Sequence, residues 1–268
     1  MTSSITRPDS EVNISYDLVG NGSPLLFLHG LGAGRAQTTS ALTDLPQHQI
    51  IAPDMLGHGD SISENSEAIQ SFDQFADDSI AILDHLGIEK ANIGGLSMGS
   101  GISINIALRY PERVNKLILL RPSWLCEKQP GHLALVASVG QWIHEHGAEK
   151  AQQLLQKHPD YLALHKEVPK VAASILGLFT RPQHYSHTAV LYKMWMDAPF
   201  SDLEELTKIS NKTLVLHTTR DELHPIPVAE TIANQLANST VMSLPPRYDD
   251  PENYGSQLNK VIAEFLSD

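Results

Sequence analysis

Short runs of consecutive apolar residues recur along the chain, and segments with helical spacing separate them. The strands that these runs predict lie at residues 25–28, 48–53, 91–94, 114–120, 213–217 and 240–244, after an alternating segment at 13–19. Helical spacing covers residues 72–86, 102–110, 227–236 and 254–266. Continuous apolar runs are typical of strands that are buried on both faces. Their alternation with helices predicts βαβ crossovers and a largely parallel sheet between two helical layers.

This alternation stops between residues 122 and 199. No buried-strand run occurs there, and helical spacing is found at residues 133–143, 148–157, 168–179 and 188–196. We therefore predict a core of residues 1–121 and 200–268, with residues 122–199 as a helical insertion over the carboxyl edge of the sheet. Residues 1–11 are polar and predict a loose lead-in to the first strand.

Composition and charge narrow the classes of partner. The chain has 268 residues, with 31 acidic against 19 basic side chains and a formal net charge of −12. Without any Lys/Arg-rich run, this balance argues against nucleic acid or an anionic membrane surface as a partner. Cys126 is the single cysteine, which excludes an intrachain disulfide and a cysteine-based zinc cluster. The polar start and the lack of a run of about 20 apolar residues predict a soluble, cytoplasmic protein.

A glycine-rich turn joins the apolar run at residues 91–94 to the helical pattern that follows. Residues 95–99 read Gly-Leu-Ser-Met-Gly and match Gly-x-Ser-x-Gly, the nucleophile elbow, in the strand–turn–helix context that this motif requires. A serine on such a strained turn tolerates no side chain at the flanking positions, where strand and helix approach closely. We predict that Ser97 is a nucleophile at a helix N-terminus; the competing interpretation is a serine that only caps its helix.

Five motifs, in this order, resemble those of the α/β-hydrolase superfamily, in the group with a helical cap. They are residues 28–31 (Leu-His-Gly-Leu), 52–61 (Ala-Pro-Asp-Met-Leu-Gly-His-Gly-Asp-Ser), 95–99, 110–114 (Tyr-Pro-Glu-Arg-Val) and 221–225 (Asp-Glu-Leu-His-Pro). The resemblance covers residues 12–266 and implies an α/β-hydrolase fold, mostly parallel and flanked by helices, with a helical cap. It also implies that the N–H groups of Leu31 and Met98 form the oxyanion hole. The acid that orients the base would be Asp221, with Glu222 as its competitor.

The general-base histidine of this family is missing from its usual place after the last strand. No histidine follows His224, and counting forward from the strand places Asp249 at the expected position. Counting back from the end of the final helix places Tyr254 there instead. A carboxylate with a pKa near ~3.9 accepts a proton from serine poorly. Three explanations stay open: a disabled triad, a histidine supplied from elsewhere, or a site that works without this base.

Two groups of histidines are candidates for a substitute base. His224 lies three residues after Asp221 and is the nearest in sequence, and its competing interpretation is a loop-packing residue. The pair His184 and His187 in the insertion is a weaker candidate. Its spacing of three also suits a metal, but two ligands without a third nearby do not make a zinc site.

Four further polar residues lie after predicted strands. His29, Asp54 and His58 are expected to hold their loops in shape. Arg121 ends the run at 114–120, and we expect it to form an ion pair with an acidic residue. The alternative is that its guanidinium faces a carboxylate or phosphate of a ligand.

Together these patterns predict a carboxylesterase-like serine hydrolase that acts on an ester or similar acyl substrate through an acyl-enzyme on Ser97. The partner is a small molecule, and no pattern indicates an organic or metal cofactor. A serine at the elbow argues against dehalogenases and epoxide hydrolases that attack with a carboxylate. The alternative, motivated by Asp249 and Tyr254, is a catalytically impaired or pseudo-enzymatic ligand-binding protein on the same fold. Neither the substrate nor the oligomeric state follows from the sequence.

Overall fold

The central feature of the fold is a single sheet, seen in a computed structural model that describes residues 2–7, 10–65, 68–181 and 185–268. The strands found in these residues are β1 (Thr2–Thr6), β2 (Asn13–Gly20), β3 (Ser23–Leu28), β4 (His48–Pro53), β5 (Ala91–Leu96), β6 (Val114–Leu120), β7 (Thr213–Thr218) and β8 (Ser239–Leu244). Their order is β1-β2-β4-β3-β5-β6-β7-β8. The pairs β1–β2 and β2–β4 are antiparallel, and the remaining neighbours are parallel. The predicted fold class is therefore confirmed.

Helices cover both faces of this sheet. The described α-helices are α1 (Arg35–Ala41), α2 (Phe72–His85), α3 (Met98–Arg109), α4 (Ala134–His146), α5 (Ala148–Lys157), α6 (Pro159–Glu167), α7 (Pro169–Leu176), α8 (Tyr185–Trp195), α9 (Ile226–Gln235) and α10 (Pro251–Ser267). Helices α4 to α8 lie between β6 and β7 in sequence, so the predicted insertion is helical. Its boundaries at residues 122 and 199 stay a prediction. Within the described part of the chain, no helix is both long and apolar enough to cross a bilayer.

Strand β3 illustrates how the core is divided between the two faces. Leu26 and Leu28 pack into the cluster that includes α2, α3 and the insertion, whereas Leu25 and Phe27 pack into the cluster that includes α10. Successive side chains of a strand point to opposite faces. A strand covered on both faces therefore carries apolar residues on both, which is why the central strands were readable as mostly apolar runs.

Two elements differ from the sequence-based expectation. The expected loose lead-in contains β1, which pairs with β2 in antiparallel register from Thr2 with Asp17 to Thr6 with Asn13. Only Ile5 of this strand is buried, so pairing through the backbone left almost no apolar signal. No helix was predicted between the helical patterns at residues 148–157 and 168–179, but Pro159 begins α6 there. Proline is well suited to the first helical turn, where its missing N–H needs no partner.

Candidate active site

The turn between β5 and α3 holds Ser97 in an unusual backbone conformation. Its φ is 56° and its ψ is −113°, a region that L-residues rarely adopt and that commonly marks functional sites. A Cβ at Gly95 would lie 2.3 Å from the backbone of Gly99, and a Cβ at Gly99 would lie 2.1 Å from the carbonyl oxygen of Leu28. The glycine spacing therefore has the steric cause that the motif implied.

The Ser97 side chain lines a cavity of about 170 Å³ between the carboxyl edge of the sheet and the helical insertion. Its hydroxyl donates a hydrogen bond to Oγ of Ser123 at 3.3 Å, and Ser123 donates in turn to the carbonyl oxygen of Leu223 at 2.5 Å. Ser123 belongs to no motif and was missed by the sequence analysis. The available signal was its place just after β6, at the same edge of the sheet as Ser97.

The two amides expected to form the oxyanion hole have no acceptor in the described part of the chain. Leu31 lines the cavity, and Met98 is the first residue of α3. Among the described residues, neither N–H donates a hydrogen bond, although the neighbouring N–H of Gly32 donates to Nε2 of His58 at 3.0 Å. Unpaired N–H groups at a helix N-terminus and in an adjacent loop can receive negative charge.

Two buried histidines and one aspartate hold the loops behind this cavity. His29 accepts a hydrogen bond from the N–H of Met55 at 3.0 Å through Nε2, and its ring lies 4.5 Å from that of His58. Burial lowers the pKa of both imidazoles, so both are neutral acceptors. Asp54 accepts hydrogen bonds from the backbone N–H and the guanidinium of Arg35. These contacts agree with the loop-holding roles expected for all three residues.

An aspartate, a histidine and an arginine form a buried chain beside Ser97. Nδ1 of His224 is 2.7 Å from Oδ1 of Asp221, and Nη1 of Arg121 is 2.6 Å from the other carboxylate oxygen. His224 lines the same cavity as Ser97, whereas Asp221 lies behind it. Glu222 is exposed, so of the two adjacent acids it is Asp221 that meets the histidine.

Burial and the neighbouring charges together set the protonation states of this chain. Burial, assisted by the charge of Arg121 and opposed by the attraction of Asp221, lowers the pKa of His224 to about 4. Burial by itself would raise the pKa of the Asp221 carboxyl, but His224 and Arg121 outweigh this and hold it below its usual range. At neutral pH the site therefore contains a neutral imidazole, a carboxylate and a guanidinium.

The residues at the family's histidine position do not line this cavity. Asp249 forms an ion pair with Arg220 at 2.8 Å, and its side chain is 45% exposed. The hydroxyl of Tyr254 is buried and has no hydrogen-bond partner among the described residues, and its ring lies 5.9 Å from the guanidinium of Arg121. Neither Asp249 nor Tyr254 therefore contributes to the wall of the cavity that Ser97 lines.

Of the other two histidine candidates, the structure describes only His187. Nε2 of His187 is 3.3 Å from the carbonyl oxygen of Gly59, and His187 does not line the cavity. His184 lies outside the described residues. In the part of the chain that the structure describes, no group of three or more His, Cys, Asp or Glu side chains is placed to hold a metal ion.

The cavity wall is mostly apolar beneath the insertion. Its apolar side chains include Trp124, Leu133, Val136, Ile175, Leu178 and Leu223. Trp124 is fully buried and packs edge-on against Phe72 at 5.5 Å between ring centroids. Such a wall suits an apolar part of a small molecule.

Comparison with known proteins places the chain among hydrolases of similar length. A family profile described as alpha/beta hydrolase fold matches residues 23–249. The 2-hydroxymuconate semialdehyde hydrolase of Pseudomonas sp. (strain CF600) is 27% identical over 230 residues, which cover 82% of this chain and 78% of that protein. The 2-hydroxy-6-oxo-2,4-heptadienoate hydrolase of Pseudomonas putida is 27% identical over 219 residues, covering 78% and 75%.

Solved structures agree with this placement. A variant of CumD, a meta-cleavage product hydrolase from Pseudomonas fluorescens IP01, superposes with a TM-score of 0.75 at 25% identity and covers 99% of this chain and 97% of that one. An esterase from Thermogutta terrifontis has the same fold, with a TM-score of 0.74 at 21% identity and 99% of both chains covered. The two Pseudomonas hydrolases and CumD support a hydrolase, whereas the esterase shows the fold alone. Because the profile spans most of the sequence and the fold matches over nearly the full length, the chain belongs to the α/β-hydrolase family.

Proposed function

We propose that the protein hydrolyses an ester or similar acyl compound through an acyl-enzyme on Ser97, with His224 as the general base. The observation that carries this proposal is the 2.7 Å hydrogen bond between His224 and Asp221, on a histidine that lines the same cavity as Ser97. The base would thus come from the loop after β7 rather than from the loop after β8. This favours the second of the three explanations for the missing histidine.

The hydrogen bond to Asp221 assigns the tautomer of His224. With Nδ1–H donating to the carboxylate, the lone pair of Nε2 is left to accept a proton. Burial keeps the imidazole neutral at pH 7, which is the form that a general base requires. In the free protein the Ser97 hydroxyl donates to Ser123, and on substrate binding it turns to Nε2 of His224.

The reaction then follows from these groups. Oγ of Ser97 bonds to the acyl carbon while its proton passes to Nε2, and the N–H groups of Leu31 and Met98 receive the oxyanion. The leaving group departs with the proton from His224. A water molecule then attacks the acyl carbon while the same imidazole takes its proton. As the bond between the acyl carbon and Oγ of Ser97 breaks, His224 gives this proton to Oγ and the acid is released. The relatives named for 2-hydroxymuconate semialdehyde and for 2-hydroxy-6-oxo-2,4-heptadienoate support a small-molecule substrate.

Covalent labelling tests the nucleophile and the base together. We expect a neutral fluorophosphonate to label the wild-type protein rapidly, and Ser97→Ala to abolish labelling and ester turnover. His224→Ala should lower kcat by about 10²- to 10⁴-fold, the usual contribution of a positioned general base. His85→Ala, at an exposed histidine of α2, is the matched control and should change neither rate.

The second candidate function is a ligand-binding protein without turnover. It is favoured by the Ser97–Ser123 hydrogen bond, which occupies the hydroxyl in the free protein. A well-folded wild type that neither reacts with the probe nor hydrolyses phenyl esters would support this candidate and reject the serine hydrolase. Labelling that depends on Ser97 but is unchanged in His224→Ala would instead reject His224 as the base.

A further inference from the structure

One cation in the cavity wall has no function in the mechanism above. Arg247 follows β8, is half-buried, and lines the cavity together with Ser97 and His224. The only charged side chains among the described lining residues, apart from the titratable His224, are Arg247 and Arg121. The chain as a whole carries a formal charge of −12, so the charge of this cavity wall is opposite in sign to the net charge of the protein.

The two arginines differ in how their charge is compensated. Arg121 is fully buried and forms an ion pair with Asp221 at 2.6 Å. Arg247 makes no hydrogen bond or ion pair with any described residue; its guanidinium lies 5.1 Å from the ring centroid of Tyr248. Burial and the charge of Arg121 lower the pKa of Arg247, which remains a cation at neutral pH. The charge of Arg247 is thus partly desolvated, and its donors have no protein acceptor among the described residues, which leaves them open to a ligand in the cavity.

We propose that Arg247 binds a carboxylate of the substrate, so that the substrate is a monoanionic acyl compound whose carboxylate is separate from the bond that is cleaved. This deepens the proposed function and rests on it. Asp221 neutralises Arg121, and His224 is neutral, so one positive charge in the cavity is left for one negative charge of a ligand. The planar guanidinium presents paired N–H donors that match a carboxylate in a bidentate manner.

The rest of the wall defines the other part of the ligand. Leu133, Val136 and Ile175 of the insertion contribute apolar surface, and no acidic side chain lines the cavity in the described residues. A carboxylate therefore meets attraction at Arg247 and no opposing negative charge in the wall. The acyl chain between the carboxylate and the reacting carbonyl is held between Arg247 and Ser97.

Two matched substrates test this assignment. The first is a phenyl monoester of a short dicarboxylic acid, whose far carboxylate is free, and the second is the same ester with a carboxamide in place of that carboxylate. We expect the wild type to have a higher kcat/KM for the anionic ester. In Arg247→Gln this preference should fall by about 10- to 100-fold, the range for loss of a hydrogen-bonded charge pair.

Two further variants separate charge from general damage. Arg247→Lys keeps the positive charge and should retain part of the preference for the anionic ester. Arg220→Gln removes a neighbouring surface arginine that pairs with Asp249 outside the cavity, and it should leave the preference unchanged. A wild type that does not prefer the anionic ester, or an Arg247→Gln variant that keeps the full preference, would overturn the proposal.

Binding to a variant without the nucleophile keeps this test independent of turnover. In Ser97→Ala, calorimetry with the two intact esters should show tighter binding of the anionic one, and adding Arg247→Gln should remove the difference. If the wild type shows no turnover but this difference in binding is present, the proposed hydrolysis fails while the carboxylate site stands. Equal Kd values for both esters in Ser97→Ala would reject the carboxylate site.

Discussion

Asp221 holds two different groups at once. Its Oδ1 meets His224 and its Oδ2 meets Arg121, so one carboxylate both orients the imidazole and compensates a buried guanidinium. The arginine also acts on the imidazole directly, because a nearby positive charge disfavours protonation. The basicity of His224 is therefore set by two neighbours, Asp221 and Arg121, which also form an ion pair with each other.

The pH dependence of kcat/KM tests this balance. His224 is active when neutral, so with a neutral ester we expect activity to be lost on the acid side with an apparent pKa of about 4 rather than ~6.5. Arg121→Gln removes a charge that lowers this pKa, so the acid limb should move upward. Arg121→Lys keeps the charge and should leave the limb near its wild-type position. An acid limb near 6.5 in the wild type would contradict the assignment.

The same histidine contributes to stability with a defined sign. Between about pH 4 and 6.5 the unfolded chain binds a proton at His224 that the folded protein does not. The contribution of the neutral His224 to the free energy of unfolding is therefore complete above pH ~6.5, and it is lost as the pH falls toward 4. Urea denaturation across this range also shows whether each Arg121 variant is folded when its kinetics are measured.

At the scale of elements, neighbouring strands explain why the site lies where it does. Strands β5, β6 and β7 are parallel neighbours, so their carboxyl ends lie side by side. Ser97 follows β5, Arg121 follows β6, and Asp221 and His224 lie in the loop after β7. In parallel sheets, ligands bind at this edge. The loop after β8 contributes Arg247 instead of the histidine.

Two glycine substitutions test the packing of the elbow against a matched helix position. Gly99→Ala places a Cβ 2.1 Å from the carbonyl oxygen of Leu28, so it should lower the free energy of unfolding by about 1–3 kcal/mol or more. Gly255→Ala, in α10, meets nothing within 4 Å and should raise it by about 0.5–1 kcal/mol. Urea denaturation with equal m-values measures both changes. A Gly99→Ala variant with the same free energy of unfolding as the wild type would contradict the close approach of α3 to β3.

At the scale of the whole molecule, the N-terminal strand is tied to the core by a buried ion pair. Arg7 follows β1, and its Nε and Nη2 contact the two carboxylate oxygens of Asp78 in α2 at 2.8 and 2.7 Å. Asp78 also accepts a hydrogen bond from Gln74 at 3.1 Å. The segment that was expected to be a loose lead-in thus packs on a helix far from it in sequence.

Breaking this pair one side at a time tests its contribution. Arg7→Met leaves the carboxylate of Asp78 buried without a cation, and we expect a loss of about 3–5 kcal/mol in the free energy of unfolding. The double variant Arg7→Met with Asp78→Leu removes both charges and should recover most of that loss. Urea denaturation of the two single variants and the double variant completes the cycle. A single variant as stable as the wild type would show that the pair contributes little.

The sequence by itself determined the fold class and the elbow. The central strands are buried on both faces, and this burial appears locally as continuous apolar runs. The glycines of residues 95–99 reflect close backbone contacts that only glycine permits, so Ser97 could be identified from a short motif. In contrast, β1 pairs through its backbone with mostly exposed side chains, and such pairing leaves little trace in the residue pattern.

Only the tertiary structure decided which side chains meet around Ser97. The sequence left Asp221 and Glu222 as competitors, and it left His224 as one of several histidines; burial of Asp221 and its contact with His224 separate them. Ser123 and Arg247 had no motif, because a hydrogen bond between loops and an unpaired charge in a cavity are properties of spatial neighbours. The burial of a strand can be recognised from consecutive residues in the sequence. The partners of a buried charge cannot, because they follow different strands that become neighbours only through the strand order of the sheet.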